Sequence, residues 1–120
     1  MPPPPTAWPT EIRLSKAKDE LVIAFDDGAT HELPAELLRV MSPSAEVQGH
    51  SPEQRVLVAG KRAVQITGVD PVGNYAVRLR FDDGHDTGLF TWGYLHKLGR
   101  DRVALWSTYL DELKAAGKSR

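Results

Sequence analysis

The chain contains no cysteine and four histidines, His31, His50, His85 and His96, so any metal or acid–base chemistry must come from imidazole and carboxylate groups. Thiolate zinc sites, Cys-ligated iron–sulfur clusters, cysteine nucleophiles and disulfides are excluded from this chain alone. His85 and Asp86 follow an Asp-Asp-Gly turn, and His50 lies within a turn-rich segment. If those segments converge, His50, His85 and Asp86 form a His/carboxylate set suited to zinc or iron. Otherwise each histidine is a hydrogen-bonded group beside a turn and no cofactor is held.

Established catalytic patterns are missing. Residues two after each histidine are Leu33, Pro52, Thr87 and Leu98, so no His-x-Asp/Glu start of an iron-oxygenase triad is present. The chain has no His-Glu-x-x-His helix, Gly-x-Ser-x-Gly elbow or Gly-x-Gly-x-x-Gly loop. Gly60-Lys61-Arg62 lacks both the earlier glycine and the magnesium hydroxyl of a phosphate loop. A calcium loop starting at Asp82 fails because Thr87 stands where glycine is needed and Gly93 where the bidentate glutamate is needed. No nucleophile–base pair is evident.

The elements that position these residues announce themselves by repetition. Phe25-Asp26-Asp27-Gly28 recurs 56 residues later as Phe81-Asp82-Asp83-Gly84, each copy with a leucine, Leu33 or Leu89, eight residues after its Phe. Asp-Gly between apolar alternations is a strong hairpin signal, since glycine accepts the positive φ of such turns. Ile12 and Leu14, then Leu21, Ile23 and Phe25, have the period-2 pattern of half-buried strands, as do Tyr75, Val77, Leu79 and Phe81. Residues 34–41 predict a short helix opened by Pro34. Residues 42–55 read as the longest loop, Val56–Val58 as a short strand, and Val64, Ile66 and Gly68 as another. Asp101 predicts the N-cap of a helix reaching Ala116, with Val103, Trp106, Leu110 and Leu113 as the stripe that packs across a sheet.

A chain of 120 residues with 41% hydrophobic content suits one domain. Its net charge is -1, but residues 37–80 hold six bases against three acids. Arg55, Lys61, Arg62, Arg78 and Arg80 therefore offer a basic face to an acidic partner, or simply a solvated surface. No Lys/Arg run interleaved with aromatics points to nucleic acid. No apolar run approaches the roughly 20 residues of a membrane span, and the start lacks a signal peptide's form. A cytoplasmic protein with no membrane partner is expected. Phe90, Trp92 and Tyr94 form a local aromatic cluster, by default core, with a partner groove rimmed by Trp92 as the sharper reading.

Several segments recur in order from a known family: Leu33-Pro34-Ala35-Glu36-Leu37-Leu38-Arg39, the stretch Ser42 to His50, Ile66-Thr67-Gly68-Val69, Asn74-Tyr75-Ala76-Val77 and the stretch Phe81 to Gly88. From Trp8 to about Gly99 the chain resembles the gamma-butyrobetaine hydroxylase N-terminal-like domain, in a stand-alone bacterial form. The resemblance implies a non-catalytic module. In the hydroxylases it precedes the iron and 2-oxoglutarate oxygenase domain, contributes structural zinc and helps dimerisation; elsewhere it is joined to P-loop ATPases carrying iron–sulfur clusters. It also implies that His85 matches the zinc-binding histidine while Ser42, Ser44 and Val47 stand at the three cysteine positions. Hydroxyls and a valine cannot replace thiolates, so that zinc site is expected to be lost.

The expected architecture is α+β and β-rich: two β-hairpin-plus-short-helix units forming twisted antiparallel sheets, with a C-terminal helix packed on them. Residues 1–10 are expected to be a Pro-rich lead-in, 11–117 the domain and 118–120 a tail. The expected role is a non-enzymatic protein-binding or adaptor module, accessory to iron–sulfur assembly or to an oxygenase-type partner, with Trp92, Tyr94, Arg78 and Arg80 as the contact surface and a homodimer as a further assembly. The alternatives are a zinc- or iron-binding protein and an enzyme with an unrecognised small-molecule site.

Overall fold

The computed structural model describes residues 7–49 and 52–120. Six strands form two three-stranded antiparallel sheets. Strands β1 (Pro9–Leu14), β2 (Glu20–Phe25) and β3 (Thr30–Pro34) make the first, followed by helix α1 (Ala35–Val40). After a short helical turn, α2 (Ala45–Gln48), and a 3-10 turn at Pro52–Gln54, strands β4 (Ile66–Val72), β5 (Ala76–Phe81) and β6 (Gly88–Thr91) make the second sheet. Helices α3 (Trp92–Arg100) and α4 (Arg102–Ala115) follow. The α+β, β-rich architecture read from the repeat is the architecture observed.

Both copies of Phe-Asp-Asp-Gly build the same turn. Gly28 and Gly84 have φ of 89° and 88°, the left-handed region where a Cβ is disfavoured. The first aspartate of each pins the incoming edge strand: Asp26 Oδ1 accepts the Trp8 amide at 3.0 Å and Asp82 Oδ1 the Gln65 amide at 3.1 Å. The second closes an Asx turn, Asp27 on the Ala29 amide and Asp83 on the His85 amide. Two sequence copies thus give two copies of a side-chain hydrogen-bond pattern.

The period-2 alternation buries Leu21, Ile23 and Phe25 from one sheet and Val77, Leu79 and Phe81 from the other in a single core shared with Leu37, Leu38, Leu95 and Leu98. Four details depart from the sequence expectations. Strand β1 begins at Pro9 and Ala7 is already buried, so the last residues assigned to the lead-in belong to the body. Val56–Val58 is not a strand; β4 starts at Ile66. Tyr75 is exposed and Ala76 buried, because β5 begins at Ala76. Residues 118–120 are not a free tail: Ser119 O accepts the Gly60 amide and Arg120 pairs with buried Glu36 at 2.8 Å.

Helix α4 turns inward only part of the stripe its spacing suggested, Leu113 and half-buried Trp106, and adds Tyr109 to it. Tyr109 and Leu113 are buried with Val40 in a second, smaller core, against Met41 and the segment Leu57 to Ala59. Val103 is 79% exposed and Leu110 39%. The tyrosine decides this rotation, since its hydroxyl donates to Val58 O at 2.7 Å while its ring supplies the apolar bulk.

Candidate functional site

The residues singled out by the resemblance converge on one small polar cluster. Ser42 follows α1, Ser44 caps α2, and His85 leaves the second Asp-Asp-Gly turn. His85 is 5% exposed and both ring nitrogens are engaged: Nε2 meets Ser42 Oγ and Nδ1 meets Glu46 Oε2, each at 2.9 Å. Ionised Glu46 only accepts, so Nδ1 carries the proton in neutral His85 and Nε2 accepts from the Ser42 hydroxyl. Ser42 Oγ in turn accepts the Ser44 amide at 3.3 Å, and Ser44 Oγ meets Thr87 Oγ1. Gly88 makes this approach possible, because a Cβ there would stand 2.5 Å from Ser42 Oγ.

A serine, an imidazole and a carboxylate in this order have the connectivity of a hydrolase triad. Sequence reading found no nucleophile–base pair; the fold makes one from residues 43 apart. The only sequence signal was the alignment of Ser42 with His85, and Glu46 carried none. Access argues against attack by this hydroxyl: Ser42 is 0% exposed. The cluster acts as a clasp fastening the α1–α2 corner to the second sheet.

The cluster does not fit the zinc expected of the family's site. Its donors are two hydroxyls and an imidazole with both nitrogens already bonded, and the remaining position is the buried side chain of Val47. Of the His50, His85 and Asp86 set, His85 belongs to the clasp. His50 lies outside the described residues, and Asp86 is exposed. Among the described residues no group of three His, Asp or Glu side chains is arranged to hold a metal ion.

Next to the clasp sits a charged knot. Asp83 Oδ2 receives Arg39 Nε and Lys61 Nζ, each at 2.7 Å. Partial burial alone would raise the Asp83 carboxyl, but hydrogen bonds from Lys61, Arg39 and the His85 amide hold it well below the usual carboxylate range. In the first turn the equivalent Asp27 faces His96 Nε2 at 2.8 Å. His96 stacks near Phe25 and His31, the two imidazole centroids lying 5.0 Å apart. Burial and the neighbouring His96 push His31 below its ordinary value, outweighing Asp27.

The expected contact surface is divided by the structure. Trp92 does not rim a groove: it is 8% exposed and its indole N–H donates to Asn74 O at 2.8 Å. Tyr94 is held inward by its hydroxyl on Met41 O, and burial raises its phenol. Both are core residues, as the default reading of the aromatic cluster had it. Arg78 and Arg80 are exposed, yet both lean on Asp70 across the β4–β5 ladder at 3.3 and 2.9 Å. This pairing blunts the basic face.

An apolar groove lies elsewhere, between α1 and α4. Leu37, Val103, Trp106 and Leu110 line a groove of about 510 Å³ with Arg102 and Arg120 at its edges. Arg120 bridges Glu36 and stacks its guanidinium 5.0 Å from the Trp106 ring centroid. Sequence reading assigned Val103, Trp106 and Leu110 to the inward stripe. Leu113, the fourth member of that stripe, is buried as expected; the warning sign for the others was that α4 also carries Leu105 and Tyr109, more apolar residues than one face accommodates.

Two sheet-and-helix units built on one repeated turn, a buried polar clasp and an apolar groove beside the last helix define a small α+β module. The family model described as gamma-butyrobetaine hydroxylase-like, N-terminal, matches residues 12–96, and the chain belongs to that family. Two solution NMR structures are similar over most of their length. One is 52% identical, covers 95% of this chain and 90% of that chain, and has a TM-score of 0.81. The other is 49% identical, covers 100% and 89%, and has a TM-score of 0.84. A crystal structure of a protein of unknown function in the DUF971 family, from Acidithiobacillus ferrooxidans, is 42% identical, covers 76% of this chain and 91% of that one, and has a TM-score of 0.63. No curated protein matches the chain.

Proposed function

We propose that this protein is a non-enzymatic protein-binding module that acts as an adaptor through the groove between α1 and α4. The observation that carries this reading is the contrast between its two candidate sites. The residues with catalytic connectivity, Ser42, His85 and Glu46, are centred on a fully buried hydroxyl, whereas the groove exposes Val103 and Leu110 around the Trp106 ring. Trp and Arg, both of which line this recess, are residue types that dominate protein-binding energetics. The family context supplies the partner classes, an iron–sulfur carrier ATPase or an oxygenase-type protein. No helix among the described residues is long and apolar enough to cross a membrane.

Anaerobic affinity capture from the native cells, comparing the wild-type chain with Leu110→Asp and with Arg78→Glu/Arg80→Glu, tests the adaptor reading. A partner retained by wild type and by the arginine variant, but lost with Leu110→Asp, is the expected result. Stoichiometric zinc or iron in the eluate with no partner would replace this reading with metal binding.

A further inference from the structure

The α4 groove does not end at its apolar floor. At Leu110 and Arg120 it continues into a second concavity of about 460 Å³ lined by Arg62, Leu113, Lys114 and Lys118. Across the two recesses five cations, Arg62, Arg102, Lys114, Lys118 and Arg120, face one carboxylate, Glu36. That carboxylate is already bound by Arg120 through two hydrogen bonds. Arg62, Lys114 and Lys118 are exposed and have no ion pair among the described residues. The neighbouring acids do not offset them: Glu112 is engaged by Arg55, and Asp111 lines neither recess.

We propose that this continuous surface binds an acidic amphipathic helix of a partner protein. Its apolar side chains fill the recess around Val103, Trp106 and Leu110, and its carboxylates meet Lys114, Lys118 and Arg62. The inference rests on the adaptor reading and specifies the chemistry of the partner. Two features favour this occupant. Exposed Val103 and Leu110 flank the half-buried Trp106 ring along the recess, an apolar seat for the stripe that an amphipathic helix presents at its own i, i+3 and i+7 positions. Lys114 in the last turn of α4, Lys118 just past it and Arg62 across the concavity carry full charges that outweigh the partial negative charge of the helix end and leave a positive field for a carboxylate-rich segment. A recess that receives side chains, with cations grouped at one end, suits a helix better than a flat lipid surface.

The test is selection from a displayed library of randomised 16-residue peptides, followed by calorimetric titration of the enriched peptides. Enriched sequences are expected to be net acidic with apolar residues three or four apart. Leu110→Asp should weaken their binding by tenfold or more. Lys114→Glu/Lys118→Glu should weaken it about tenfold and flatten its salt dependence. Thermal melts matching wild type establish that these exposed positions leave the fold intact. Neutral or basic winners, or binding indifferent to Leu110→Asp, overturn the acidic-helix inference. The adaptor reading then stands or falls separately on the native capture. Binding to 7:3 phosphatidylcholine:phosphatidylglycerol vesicles in place of peptides assigns the groove to a lipid surface. A concentration-dependent dimer lost in Leu110→Asp assigns it to a second copy of the chain. Either result overturns the proposal.

Discussion

Ser42 Oγ and His85 Nε2 lie 2.9 Å apart in the interior, joining the end of α1 to the second Asp-Asp-Gly turn. With Glu46 on the other ring nitrogen, hydrogen bonds alone cross-link the α1–α2 corner to the second turn. His85→Ala removes both bonds and leaves the buried Ser42 O–H without its acceptor, so a loss of about 2–3 kcal/mol is expected, against about 1 kcal/mol for Ser42→Ala. Urea denaturation of the singles and the double variant reads their coupling. Additive losses would show that the two side chains do not act together.

Burial of Ser42 also predicts inertness. A fluorophosphonate probe should leave the folded chain unlabelled while labelling a known serine hydrolase in the same tube. Labelling of wild type that disappears in Ser42→Ala would restore the enzyme reading.

Asp83 governs acid stability. Its folded value lies below that of an unfolded aspartate, so its contribution is present above about pH 4 and is lost as pH falls toward the folded value. Asp83→Asn should cost about 1–3 kcal/mol at pH 7, with the difference from wild type shrinking toward pH 2. A constant difference across that range would exclude the carboxylate as its origin.

His31 also lowers stability on acidification, but in a higher pH window. Its folded value is lowered by burial and by His96, with Asp27 opposing and Arg102 and Arg100 adding to the shift. Below the ordinary imidazole value near 6.5 the unfolded chain takes a proton that the folded chain resists. Stability should therefore fall as pH drops from about 7, levelling off below the depressed value. In His31→Gln that part of the slope should vanish; an unchanged slope would place the titration elsewhere.

Two glycines of α3 separate helix propensity from packing. A Cβ at Gly93 meets nothing within 4 Å, so Gly93→Ala should stabilise by a few tenths to about 1 kcal/mol. At Gly99 a Cβ would stand 2.1 Å from the His31 ring, which is wedged against Phe25 and His96. Gly99→Ala should cost about 1–3 kcal/mol despite its better propensity. Melting temperatures moving in the same direction would contradict the His31 placement.

The sequence by itself determined the architecture. Phe25-Asp26-Asp27-Gly28 and its copy at Phe81 state the turn, the strand alternation and the helix that follows, because all three are set by local φ preference and period-2 burial. It also fixed what thiolate chemistry the chain lacks. Tertiary structure decided what those elements do with their side chains. Trp92 is core because Asn74 O is there to take its N–H, and Val103 and Leu110 are open because Tyr109 found Val58 O and turned α4. Ser42, Glu46 and His85 became one unit only when α1, α2 and the second turn met. Periodicity reports that a helix has an apolar face. Which of two such faces is covered depends on partners far away in the chain, and that is a property of packing.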